Sequence, residues 1–217
     1  MTEEFTDTPL LTARFDAALH YATRHHARHL RKGTPVPYAA HLLAVASLVL
    51  EMHGDEDEAI GGLLHDVVED GGGSRALAEI ETRYGATVAE IVLANSDRVD
   101  EVGAGRDWYR RKRAYLDNFP HKSPPALRVS LADKLHNGRS ILTDYRTLGD
   151  ALWARFGQGQ GLATRVYYRS LALAFEAERA RMGEAAGPYV DELRRTVDAI
   201  TALAEHHQGP DSRELLT

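Results

Sequence analysis

The sequence predicts an all-α fold, a compact bundle of several helices, and three observations carry that expectation. Apolar residues recur every three or four positions through most of the chain. Capping residues, glycines and prolines punctuate those runs at helix-length intervals. No convincing run alternates apolar and polar residues at the two-residue period of a strand, and no internal repeat is found.

The elements follow in order. Thr8 before Pro9 suits a helix start, and a helix is expected over about 10–30, ended by Arg31-Lys32-Gly33-Thr34-Pro35. Tyr38 to His53 carries Ala44, Val45, Leu48, Val49 and Met52 at helical spacing. Asp55 and Glu58 have the spacing of a capping box, opening a helix through Ile60, Leu63, Leu64, Val67 and Val68 that Gly71-Gly72-Gly73 stops. Ser74 is expected to cap a short helix ending at Tyr84-Gly85, and Thr87 to Ala94 is a further apolar helix. Ser96 to Arg106 reads as a loop and Asp107 to Phe119 as a basic helix. Ser123-Pro124-Pro125 starts the next, with Leu127, Val129, Leu131, Leu135 and Ile141 on its apolar face. After the break at Gly157 to Gly161, helices are expected over 162–182 and 189–206, followed by a frayed tail at 208–217. The domain organisation expected is one unit over 1–217, with a core at about 10–182.

Composition narrows the function. The 217 residues are 43% hydrophobic and 27% charged, ordinary values for a folded chain. A net charge of −6 argues against a broad electrostatic grip on nucleic acid, though a small basic pocket for a phosphorylated ligand remains compatible with it. There is no Cys, so disulfides, thiolate metal sites and thiol catalysis are excluded, and any metal must sit on His, Asp, Glu or Asn. The acidic start MTEEFTDTPL lacks the apolar stretch of a secretory signal, and no apolar run approaches the roughly 20 residues that cross a bilayer. A cytoplasmic protein without a membrane or nucleic-acid partner is expected; the oligomeric state is not legible.

The most informative segment is Leu63-Leu64-His65-Asp66-Val67-Val68-Glu69-Asp70. His65 and Glu69 are four apart, as are Asp66 and Asp70, so on a helix the four titratable groups gather on one side. Acids are disfavoured at a helix C-terminus, and three so close together call for a counter-charge, which a divalent cation supplies. The alternative is a solvated acidic helix end, which leaves the Leu and Val frame unexplained. His41 lies on an apolar helix and reads either as a core histidine or as a ligand. Asp133 follows Leu131-Ala132 and is costly to bury unpaired; it reads either as a ligand or as the partner of Lys134 or an arginine.

Five segments in order then resemble one family. His26 with Arg31-Lys32, Pro37-Tyr38-Ala39-Ala40-His41, the Leu63–Asp70 segment, Tyr84-Gly85-Ala86-Thr87-Val88, and Leu131-Ala132-Asp133-Lys134-Leu135-His136-Asn137-Gly138-Arg139 resemble motifs of the HD-domain metal-dependent phosphohydrolases. Within these the chain resembles the RelA/SpoT-type (p)ppGpp hydrolases, specifically the stand-alone small alarmone hydrolases. The resemblance spans roughly residues 14–175.

The resemblance implies an HD-domain bundle with His41, His65, Asp66 and Asp133 as ligands of one Mn²⁺ per chain. It implies that Glu69 and Asp70 position and deprotonate the attacking water, and that the 3′-pyrophosphate of ppGpp or pppGpp is released, leaving GDP or GTP. The substrate is then a phosphorylated guanine nucleotide, contacted by Arg31, Lys32, Asn137 and Ser140, with Lys112 from the basic run 110–113 and Tyr167 as further contacts. Three departures stand out. Leu42 replaces the usual Pro after the first ligand, Gly71-Gly72-Gly73 the usual Thr, and His29 the common Gln. His25 and His29, four apart with no acid beside them, read as surface histidines, and His206-His207 as an adventitious metal binder near the frayed end. Other readings are a phosphatase on another nucleotide (an adenine alarmone or NADPH) and an alarmone sensor without catalysis.

Overall fold

In the computed structural model, residues 6–96, 108–156 and 160–208 are described. Among them the chain forms α1 (Ala13–His25), α2 (Ala39–Glu51), α3 (Glu56–Leu64), α4 (Gly73–Tyr84), α5 (Ala86–Asn95), α6 (Trp108–Asp117), α7 (Pro124–Leu148), α8 (Gln160–Ala177) and α9 (Gly187–Gln208). Short 3₁₀ turns lie at Phe119–His121, Gly149–Phe156, Arg179–Met182 and Glu184–Ala186. The described residues form no strand, only an isolated antiparallel bridge between Leu30 and Pro37. The fold is all-α, and no described helix is long and apolar enough to cross a membrane.

Helix α7 is the spine. Its 25 residues make a rod about 37 Å long, against which α2, α3, α5, α8 and α9 all rest. Ser123 caps it, its hydroxyl accepting from the Ala126 N–H at 3.2 Å, and the prolines behind the cap occupy positions whose N–H groups have no helical partner. Leu127, Leu131 and Leu135 meet Leu171, Phe175 and Leu193 in one apolar cluster, while Ile60, Leu63, Leu64, Ile80 and Val88 fill a second between α3, α4 and α5. The Asp55–Glu58 capping box forms as expected. Glu58 is buried, and its carboxylate also takes the Arg128 guanidinium at 2.6 Å, tying the start of α3 to α7.

Several boundaries differ from expectation. Helix α1 begins at Ala13 because Thr12, not Thr8, is its cap, and the Thr12 N–H is taken by Glu56 at 2.5 Å across the fold. It ends at His25, and residues to Leu30 turn back toward Pro37 instead of continuing as helix. Helix α4 begins at Gly73 with no side-chain cap, so Ser74 does not fill that role. Helix α8 stops at Ala177 and a separate 3₁₀ turn follows. The expected loop at 97–106 and the tail at 209–217 lie outside the described residues.

The boundary that matters most is the end of α3, at Leu64 rather than beyond Val68. The chain continues with helical φ and ψ at His65 and Val67 and then widens into a π turn over Val68–Gly72. Gly72 N–H bonds the Val67 carbonyl at 3.1 Å, five residues back. Gly71 takes φ 109°, a conformation costly for any side chain, which is a physical use for the glycine run.

Candidate metal centre and adjoining cationic pocket

Four side chains from three places converge. His41 comes from the first turn of α2, His65 and Asp66 from the end of α3, and Asp133 from the middle of α7. His41 Nε2 lies 3.6 Å from Asp66 Oδ2 and 3.3 Å from Asp133 Oδ1. His65 Nε2 lies 3.0 Å from Asp66 Oδ2 and 3.8 Å from Asp133 Oδ1. Both Nε2 atoms are buried, yet neither makes a hydrogen bond. Four donor atoms thus face one another without hydrogen-bond geometry, and His41, His65 and Asp133 meet the spacing of a metal site. The nitrogen and oxygen donor set fits a divalent cation.

Each of the four side chains is fixed from behind. His65 donates its Nδ1–H to the Gly62 carbonyl at 2.8 Å, leaving Nε2 as the free nitrogen of the neutral ring. His41 Nδ1 faces His136 Nδ1 at 2.8 Å. Asp66 Oδ2 accepts from the Tyr38 hydroxyl at 2.5 Å. Asp133 divides its oxygens: Oδ2 takes Lys134 Nζ at 2.6 Å, while Oδ1 faces the histidines and accepts from Asn137 at 2.5 Å. The ligand and ion-pair readings of Asp133 therefore describe different atoms of one carboxylate.

The electrostatics are those of a site held ready for positive charge. Burial opposes ionisation of Asp66 and Asp133, but the neighbouring imidazoles, and Lys134 beside Asp133, outweigh it and hold both well below the usual carboxylate range. Burial also opposes a charged His65, yet Asp66 and Asp133 lift it to about 9. His41 and His136 move the other way, because burial disfavours their cations; His136 falls to about 4.

Beside this cluster opens a cavity of about 700 Å³. Among the described residues, Arg31, Lys32, Lys112, Lys134, Arg139 and Arg155 line it, with Asp144 as the one carboxylate. His41 belongs to both the cavity wall and the cluster. All six substrate contacts expected from the sequence, Arg31, Lys32, Lys112, Asn137, Ser140 and Tyr167, lie on this wall. Asn137 is tied at both ends: its Nδ2 donates to Asp133 and its Oδ1 accepts from Arg31 at 2.7 Å. Ser140 donates to the His136 carbonyl at 3.0 Å, and Lys112 Nζ sits 5.4 Å from the Tyr167 ring centre. Gly33, at φ 71°, leaves room that a Cβ would take from Arg155, which itself pairs with Asp144.

Glu69 and Asp70 stand just past His65 and Asp66, in the π turn. Burial and the Asp66 charge raise the Asp70 carboxyl, and its Oδ2 lies 3.7 Å from His26 Nδ1. Sequence reasoning gave no role to Tyr38 or His136, although each lies inside a recognised motif, nor to Trp108, Arg139 and Arg155 in the cavity wall. Those roles depend on which side chain meets which across the bundle, and no spacing rule encodes that.

The HD domain family matches residues 18–163. The human guanosine-3′,5′-bis(diphosphate) 3′-pyrophosphohydrolase MESH1 is 35% identical over 127 residues, 57% of this chain and 67% of the human protein. The Danio rerio protein of the same name is 36% identical over 135 residues, 61% of this chain and 68% of that one. Among solved structures, a metazoan ortholog of SpoT described as hydrolyzing ppGpp superposes with a TM-score of 0.67 at 23% identity, covering 88% of this chain and 97% of that one, a likeness of fold.

Proposed function

This chain belongs to the HD-domain family, and from that premise we propose that it hydrolyses the 3′-pyrophosphate of ppGpp or pppGpp, releasing GDP or GTP and pyrophosphate. The observation that carries the reading is the cation-ready cluster of His41, His65, Asp66 and Asp133 opening onto a wall of six basic side chains in a net-acidic protein. Those four residues would hold the metal, assigned here as Mn²⁺, which when bound lowers the pKa of a water and polarises a phosphate oxygen.

The chain's own groups supply the rest. Arg31, Lys32 and Lys112 pair with the charges of the phosphates, the main requirement of a reaction that needs positioning and charge stabilisation more than covalent chemistry. Tyr167 offers an aromatic face to the base or ribose. Asn137 links Arg31 to Asp133, so the phosphate grip and the ligand set share one framework. Asp70, with a raised proton affinity, accepts the proton of the attacking water, and Glu69 orients that water.

The test is turnover of ppGpp by EDTA-stripped protein, with and without Mn²⁺, the nucleotides being resolved by anion-exchange chromatography. GDP is expected only with Mn²⁺, and none from Asp66→Ala protein of unchanged helicity. Equal turnover without metal, or intact ppGpp with it, would overturn the reading.

A further inference from the structure

A second group of metal-type donors lies outside the catalytic cluster. His26 Nδ1 is 2.9 Å from His29 Nδ1 and 3.7 Å from Asp70 Oδ2, and the three residues satisfy the same spacing as His41, His65 and Asp133. The sequence expectation for His29 was a surface residue with no acid nearby; the fold brings Asp70 to it from a segment some forty positions away. The scaffold is fixed. The His29 N–H bonds the His26 carbonyl at 2.9 Å, and the His29 carbonyl accepts from Tyr38 N–H at 2.9 Å. The His26 ring has no exposed side-chain surface and stacks on Tyr38 with centres 4.9 Å apart. Its Nε2 is buried without a hydrogen-bond partner. His29 and Asp70 are open to solvent, which gives an ion a way in.

We propose that His26, His29 and Asp70 form a second cation site, suited to Zn²⁺ or a similar borderline ion, whose occupation withdraws Asp70 from the reacting water and so inhibits hydrolysis. The inhibitory half rests on the role given to Asp70 above; the site itself does not. Two imidazole nitrogens and one carboxylate, with room for water in a fourth position, are a zinc donor set, and imidazole ligands favour Zn²⁺ over Mn²⁺. The two Nδ1 atoms stand 2.9 Å apart, close enough that one of them accepts from the other and so presents a lone pair. Burial keeps His26 neutral near pH 7, its pKa falling to about 4, so one nitrogen of its ring is bare and can bind an ion.

The experiment compares full-length wild type with His29→Gln, an exposed change that removes one ligand and leaves every group assigned to the reaction, Asp70 included, in place. After equilibration with excess Zn²⁺ and gel filtration, elemental analysis should find one more zinc per chain in wild type than in His29→Gln. Losing even a supporting partner of a metal site costs 10–100-fold in affinity, so Zn²⁺ should inhibit Mn²⁺-supported hydrolysis at a concentration at least roughly tenfold lower in wild type. Without Zn²⁺ the two proteins should turn over alike. Equal zinc counts would overturn the site, whatever the activity. Unequal counts with equal inhibition would overturn the inhibitory role. Unequal counts with no hydrolysis of ppGpp by either protein would leave the site standing and sink the proposed function.

Discussion

The Nδ1 atoms of His41 and His136 lie 2.8 Å apart, so a ring on α7 fixes the orientation of a ring on α2. With Nε2 of His41 turned into the cluster, its proton belongs on Nδ1, donated to His136. His136 stays neutral and can accept it, since burial and the neighbouring His41 and Arg31 push its pKa down to about 4. His136 is therefore a positioning residue. His136→Ala should weaken Mn²⁺ binding about 10–100-fold while leaving helicity intact, as expected for an outer-shell partner of a ligating histidine. Calorimetric titration of metal into stripped protein reads it; an unchanged affinity would remove His136 from the site.

Metal binding should expel a proton. His65 reaches about 9 when only carboxylates face it, so the stripped protein carries that proton at pH 7, whereas a ligand nitrogen must be bare. Asp66 and Asp133 are already ionised and contribute none. About one proton should leave per Mn²⁺ at pH 7, and affinity should rise about tenfold per pH unit until about pH 9. Calorimetry in two buffers of different ionisation enthalpy counts the protons. The same raised pKa gives the stripped protein a stabilising contribution that is complete below about 6.5 and lost as pH climbs through about 9. Its Tm should therefore fall over that window.

Arg31 joins the cationic wall to the His–Asp cluster through Asn137 and Asp133. Arg31→Ala removes a charged partner worth about 1.5–3 kcal/mol, so kcat/KM for ppGpp should drop roughly 10–100-fold. Lys32 lines the same cavity but is exposed, where screening weakens it, so Lys32→Ala should cost less than Arg31→Ala. Steady-state kinetics at low and high salt separate the two; an equal loss for both would contradict the linked framework.

Asp55 closes the capping box that starts α3, with its side chain accepting from Glu58 N–H at 2.9 Å. Asp55→Ala should cost about 1 kcal/mol of stability, the usual value of a lost cap, and leave turnover per folded molecule unchanged. Denaturant melts and specific activity read the two parts independently.

The all-α class, the Asp55–Glu58 box, the Ser123 start of α7 and the stop at Tyr84-Gly85 were legible in the sequence, because each depends on neighbours within four residues. That His65-Asp66 and Asp133 need a partner was legible for a similar reason: charged groups set among Leu, Val and Ala are costly to bury alone. Three matters were decided only by tertiary structure. Helix α1 starts at Ala13, where Thr12 caps it and Glu56, the first residue of α3, takes the Thr12 N–H. Asp70 stays one turn beyond Asp66, its N–H on the Asp66 carbonyl at 2.9 Å, and it is the packing of that turn against the end of α1 that sets it beside His26 and His29. The backing of the ligands by Tyr38 and His136, like the gathering of six basic side chains from four segments onto one wall, arises where α2, α6, α7 and the following turns meet. Sequence spacing specifies which face of a helix a residue occupies. Which face lies opposite is set by how the apolar stripes of all the helices bury one another together, and that is a property of the whole chain.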